Sequence, residues 1–140
     1  MKKILSVLLV CVLAFSFAAC GKKAADYSAY EEYVGSYWDE YSQRAYAEFA
    51  IDEEEGPQLK IWWSSSAYQK AYWVMNVELK DGNFLYDEIS YCVLTFDADD
   101  NCTEEDAKTF GSGCISIQDG KLCMAGCSDS GLSECIFAKE

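Results

Sequence analysis

An antiparallel all-β domain follows from three features of the chain. Apolar and polar residues alternate with period two through its middle. Asp-Gly pairs punctuate it at hairpin spacing. No long helical pattern occurs after position 20. The expected architecture is an up-and-down meander of eight or nine strands, closing into a small barrel of about eight. Closure removes the open edges that would otherwise pair with other chains.

The first segment stands apart from that domain. Lys2 and Lys3 precede an apolar run from Ile4 to Phe17 that only Ser6 and Ser16 interrupt. The run falls short of the roughly 20 residues a helical span needs and fits the core of a signal peptide. Phe17-Ala18-Ala19-Cys20 then reads as a lipoprotein processing site. Ordinary signal peptidase wants a small residue where Phe17 stands, whereas lipoprotein processing accepts a large apolar one. Residues 1–19 are therefore expected to be a lipoprotein signal peptide, with Cys20 lipidated. Residues 20–30 form a tether and 31–140 the β-barrel domain. The expected location is the cell membrane, lipid-anchored, on its extracytoplasmic face. Lys22 and Lys23 would lie beside the headgroups, worth about 1 kcal/mol each on an anionic surface.

Tyr27, Tyr30, Tyr33, Tyr37 and Tyr41 recur every three or four residues, which predicts a helical turn before Gly35. Alternation then takes over. Ala45, Ala47, Phe49 and Ile51 share one face of 43–51, with Arg44, Tyr46 and Glu48 opposite. Leu59, Ile61 and Trp63 face away from Lys60 and Trp62. Ala71, Trp73, Met75, Val77 and Leu79 line one side of 70–80, predicting one half-buried strand. Asp81-Gly82 and Asp119-Gly120 are hairpin turns. The longer loops are 52–57 and 97–101, with breaks at 111–113 and 126–131.

Composition narrows the function. At 51% hydrophobic and 15% aromatic the chain is too apolar for a disordered tail. Its formal charge of −13 becomes −15 once Lys2 and Lys3 leave with the leader. Such a surface repels nucleic acid and attracts cations or basic proteins. Histidine is absent, which removes Ser-His-Asp and Cys-His nucleophiles and the commonest metal ligand. Paired-carboxylate chemistry of the glycosidase kind remains, but no acidic pair distinguishes itself from the rest. Neither an enzyme nor a cofactor is expected.

Cys11 leaves with the leader and Cys20 takes the lipid. Cys92, Cys102, Cys114, Cys123, Cys127 and Cys135 remain. An even number in an exported chain reads as disulfides of open pairing. The rival is a thiolate metal site of Cys114, Cys123, Cys127 and Cys135, whose spacing lacks the two tight pairs usual for zinc. Asp97, Asp99, Asp100 and Asn101 have calcium-like spacing but lack the glycine and the closing glutamate of an EF-hand loop. No metal is expected. Phe49, Trp63, Trp73 and Met75 face inward, where they either fill the core or line a cavity for one small ligand. Arg44, the sole arginine, either braces the barrel against a carboxylate, Tyr37 or Trp38, or anchors that ligand.

Gly35-Ser36-Tyr37, Tyr41-Ser42-Gln43-Arg44-Ala45, Trp63-Ser64-Ser65-Ser66-Ala67 and Cys135-Ile136-Phe137-Ala138-Lys139 carry a resemblance. Together they resemble a group of uncharacterised small lipoproteins of clostridia and related gut Firmicutes. Those chains run Gly-Thr-Trp, Ser-Gln-Arg-Ala, Trp-Gly-Ser-Ser-Ala and end in Asp-Cys-Val-Phe-Glu-Lys. The resemblance spans nearly the whole mature chain. It implies a lipocalin-like barrel on the outer face of a Gram-positive cell, and a Cys92–Cys135 pairing. Tyr37 departs from it, standing where a lipocalin's first strand has Trp. The expected function is a non-enzymatic, membrane-anchored binding domain for a small apolar or amphipathic ligand. The alternative is an acidic binder or inhibitor of cationic proteins such as lysozyme or antimicrobial peptides. The oligomeric state stays open.

Overall fold

A computed structural model describes residues 25–140. The leader 1–19, the lipidation site Cys20 and the first part of the tether lie outside the described residues. Among those described, no helix is long and apolar enough to cross a membrane.

The tyrosine-rich segment forms the expected helical turn, as a 3-10 helix over Ser28–Tyr33. Packing starts ahead of position 31, because the Tyr30 ring stacks on Phe49 and Phe84. Eleven strands follow: β1 (Gly35–Asp39), β2 (Ala45–Asp52), β3 (Gly56–Ser64), β4 (Gln69–Asn76), β5 (Glu78–Lys80), β6 (Asn83–Tyr86), β7 (Ile89–Phe96), β8 (Cys102–Phe110), β9 (Gly113–Gln118), β10 (Lys121–Cys123) and β11 (Ile136–Lys139). Both Asp-Gly turns close tight hairpins, with positive φ at Asp81, Gly82, Asp119 and Gly120. That is the backbone a two-residue hairpin connection requires. Asp52, Gly56 and Pro57, expected in a loop, belong to strands instead; Asp52 pairs with Gly56 and Ile51 with Pro57. Pro57 lies at the start of β3, where a missing N–H costs least.

All eleven strands join one antiparallel sheet in the order β5-β6-β9-β10-β11-β1-β2-β3-β4-β7-β8. The expected all-β meander is present. Two of its details are corrected: there are eleven strands rather than about eight, and the sheet is a curled half-barrel rather than a closed lipocalin-like barrel. One of the added strands arises because 70–80 is two strands, not one. The chain changes partners at Val77, whose N–H donates to Pro57 O at 3.0 Å. Before it, β4 pairs β3 and β7; after it, β5 pairs β6 at the far end of the sheet. The barrel stays open because its two edges do not match. Of the nine residues of β8, all but Phe110 are exposed, so that strand offers no apolar face to bury. The opposite edge, β5, has three residues.

Among the described residues no α-helix covers the apolar face, so the sheet largely covers itself, with Tyr30 and Tyr33 of the 3-10 turn packed against it. Ala45, Ala47, Phe49, Leu59 and Ile61 of β2 and β3 are completely buried. Against them lie Phe84, Ile115, Leu122 and Phe137 from β6, β9, β10 and β11, also completely buried. Phe49 and Phe84 stack at 5.0 Å between centroids, although their strands are far apart in the sheet order. After β10, the 3-10 turns Met124–Gly126 and Ser128–Ser130 plug one end with Met124. There the backbones touch: a Cβ on Gly126 would sit 2.2 Å from the Cys114 carbonyl oxygen. Asp39 is buried, and its carboxylate accepts N–H bonds from Ser42 at 2.7 Å and Ile136 at 3.0 Å, tying the first hairpin to β11.

Gly126→Ala has no room, because the Cys114 carbonyl is backbone and cannot swing aside. It should lower stability by about 1–3 kcal/mol through overpacking, seen as an earlier urea midpoint with unchanged slope. Tyr37 supplies a pH signature. Its hydroxyl donates to Tyr33 O at 2.6 Å, and burial, reinforced by Tyr33 and Glu32, pushes its pKa from 10.0 up to about 12. The folded state thus holds this proton longer than the unfolded chain does. Stability present below pH 10 should fall as pH rises from about 10 to 12. Tyr37→Phe should make alkaline unfolding less steep in denaturant titrations across that window.

Candidate functional site

The open side of the half-barrel forms a cleft of about 440 Å³. Its walls follow from strand register. Trp63 of β3 pairs Ala71 of β4, Trp73 pairs Tyr91 of β7, and Tyr91 pairs Lys108 of β8. These residues share one face and turn their side chains into the curl. Phe110 closes the β8 side, and Asp129, Ser130 and Gly131 form the opposing lip. The rings interlock: Trp73 packs on Tyr91 at 5.2 Å and Tyr91 meets the edge of Phe110 at 6.1 Å. Trp73 also donates from Nε1 to Ser130 O at 2.9 Å, which fixes the lip against β4. Lys108 Nζ stands 5.9 Å over the Tyr91 ring, a cation held by the π face. The result is an aromatic trough with one ammonium and one carboxylate at its rim.

Of the five residues expected to hold a ligand, the structure brings Trp63 and Trp73 together in this cleft. Phe49 is completely buried beneath Tyr30, Tyr33 and Phe84, and belongs to the filled interior. Met75 is also core, at 2% exposure. It also borders a separate polar groove of about 480 Å³, rimmed by Glu55, Asp87 and Glu88. Arg44 sits exposed at the β1–β2 connection, away from the cleft, where its carbonyl accepts from Ser64 N at 2.9 Å. Tyr91, Phe110, Lys108 and Asp129 were not singled out from sequence. Tyr91 alone carried a signal, as an alternating aromatic beside Cys92.

The opposite, convex face carries an aromatic row that alternation hinted at but did not assemble. Trp38, Tyr46, Trp62 and Tyr72 are register neighbours across β1 to β4. Tyr46 and Trp62 stack at 4.8 Å with planes 9° apart; the flanking pairs lie at 5.5 and 5.1 Å, tilted. Each ring packs on the next, so the row braces the sheet, with Trp38 at its end exposed. Burial raises the pKa of both Tyr46 and Tyr72.

Cys92 continues that row, paired in register with Tyr72. The six described cysteines are free thiols, with no disulfide among the described residues. The Cys92–Cys135 pairing implied by the resemblance finds no geometric support. Cys92 lies on the convex face beside Tyr72, whereas Cys135, ahead of β11, belongs to the buried core. Charge coupling links Cys92 instead to Glu104 and Cys102, and Cys127 to Cys114 and Cys135. Burial pushes the Cys135 thiol up to about 12, helped by Asp39 and Glu134. It raises Cys92 and Cys127 as well. Tyr86 is raised by burial and by its contact with Cys127.

In the 97–101 loop, Asp97 Oδ1 accepts from Asp99 N and Asn101 N at 2.9 Å each, and Oδ2 from the Asn101 amide. These bonds lower the Asp97 pKa, the Asn101 side chain contributing most. That carboxylate is committed to shaping its own turn. No group of His, Cys, Asp or Glu suited to a metal ion occurs among the described residues. Comparison with protein-family models, with curated proteins and with solved structures finds no match.

Thiol accessibility discriminates these environments. With all cysteines reduced, a brief pulse of iodoacetamide on the folded chain should label exposed Cys102 first. Buried Cys92, Cys127 and Cys135 should lag by at least about tenfold, as read by peptide mass spectrometry.

Proposed function

We propose that the protein is a lipid-anchored, extracytoplasmic binding domain that takes a small apolar or amphipathic ligand in the cleft of Trp63, Trp73, Tyr91 and Phe110. The single observation behind this is the aromatic trough on the open side of the curl. At about 440 Å³ it falls within the roughly 300–1,000 Å³ usual for small-molecule sites. The core beside it is filled, so the ligand would sit at the mouth of the half-barrel, not within it. Its apolar body would lie on Trp63 and Phe110, with a polar end beside Lys108 and Asp129. Nothing in the cleft acts as a nucleophile and base together, which favours capture over catalysis. The location rests on the Phe17-Ala18-Ala19-Cys20 signal and on the resemblance to small Firmicutes lipoproteins.

An environment-sensitive anilinonaphthalene sulfonate probe, with medium-chain fatty acids as competitors, tests the site. Trp63→Ala and Phe110→Ala remove half-buried rings that line the walls and pack on the margin of the core, so each variant is first checked for an unchanged far-UV circular dichroism spectrum. Each should weaken probe binding about tenfold, equivalent to about 1.4 kcal/mol, in a fluorescence titration. Equal affinity in both variants would remove the cleft as the site. Acylation is tested separately, by mass spectrometry of the Cys20 peptide from membranes of the native cell.

A further inference from the structure

The two edges of the open sheet are treated differently by the chain. At the β5 edge, Leu79 N–H donates to the Tyr30 hydroxyl at 2.9 Å, so the domain caps that edge itself. The β8 edge has no such cover among the described residues. Among the described residues, its one side-chain bond, Thr103 Oγ1 to Thr95 O, goes to β7, as does its ladder. Every residue from Asp97 to Thr109 is exposed. Alternate residues of β8 therefore hold N–H and C=O groups facing water, a ready template for another strand. The side chains along it are acidic. Asp97, Asp99, Asp100, Glu104, Glu105 and Asp106 face only Lys108 among bases over 97–110.

We infer that β8 binds an extended basic polypeptide segment by strand addition, at a site distinct from the aromatic cleft. The ladder geometry confines the pairing. Register shifts between Tyr91 and Val93, with Asp106 at φ 53, so the regular template runs from Cys102 to Glu105. Along that run Glu104 lies on the convex face opposite Leu94, and Glu105 on the concave face opposite Val93. A partner strand with alternating basic residues places a cation beside one of them on whichever face it turns. The loop acids Asp99 and Asp100 extend the negative field past the end of the strand. The same acids disfavour a second copy of β8, since like charges directly opposite in a ladder are destabilising. Charge thus selects the partner, and the backbone holds it.

The probe is a short synthetic peptide of alternating Lys and Val, titrated into the protein and followed by affinity and amide hydrogen exchange. The expected result is binding with new protection at Cys102–Glu105. Methylation of the peptide's alternate backbone nitrogens removes strand hydrogen bonds but keeps every charge, and should weaken binding at least about tenfold. The double variant Glu104→Lys and Glu105→Lys changes only exposed side chains and should weaken it by a similar factor. The matching Glu–Val peptide should not bind. Unchanged affinity for the methylated peptide, protection at the Glu55, Asp87 and Glu88 groove instead, or no binding at all would each overturn the inference. So would protection of Cys102–Glu105 that grows with protein concentration alone, which would assign the edge to a second copy of this chain.

Discussion

A single apolar sheet face with no helix to cover it constrains everything else in this protein. Each strand from β2 to β4 buries one side, and its cover among the described residues is the other end of the same sheet together with the short 3-10 segments. The Phe49–Phe84 stack is where the two ends meet. Tyr30 and Tyr33 pack against both rings from the 3-10 turn, so the segment ahead of β1 is part of the closure. Burial of large aromatic and aliphatic side chains at about 1.5–3 kcal/mol each outweighs what the curl gives up, namely two unpaired edges. Polar groups in the interior are provided for: no buried side-chain nitrogen or oxygen lacks a hydrogen-bond partner among the described residues.

The curl stops short of closure, and the features of interest lie where it stops. One side exposes the trough of Trp63, Trp73, Tyr91 and Phe110, with walls set by strand register and a lip held by the Trp73–Ser130 bond. Beside it runs the uncovered acidic edge of β8. A closed barrel would leave no free edge, because closure pairs the first strand with the last. The trough and the free edge are thus by-products of the same mismatch, between a nine-residue polar edge strand and a three-residue capped one.

Local pattern was legible wherever the relevant contact was local. The inward face of Ala45, Ala47 and Phe49, the strand at Leu59 and Ile61, the turns at Asp81-Gly82 and Asp119-Gly120, and the helical turn before Gly35 all follow from neighbours within a few residues. The break at Val77 was not legible. Alternation continues through Val77 and Leu79 unchanged, because period two records only which way a side chain points. Which strand lies alongside is a separate matter. The same blindness mixed the candidate site: Phe49, Met75, Trp63 and Trp73 all point inward, but the first two meet packed rings or core and the others meet open space. Arg44 was singled out for rarity, and rarity says nothing about position. Lys108 and Asp129 gave no signal, since an exposed charge on a strand or turn is ordinary until a register sets it beside aromatic rings.

The amino-acid sequence by itself determined the all-β class, the position of the hairpin turns, the acidic character and the exclusion of histidine chemistry. Each of those depends on residue identity or on spacing within one element. The tertiary structure alone decided that the sheet stays open, which inward aromatics border a cleft, and which cysteines lie near one another. Those outcomes depend on pairings between segments far apart in the chain. Many such pairings satisfy the same alternation, and only the mutual fit of complete faces, settled at Phe49 and Phe84, selects one of them.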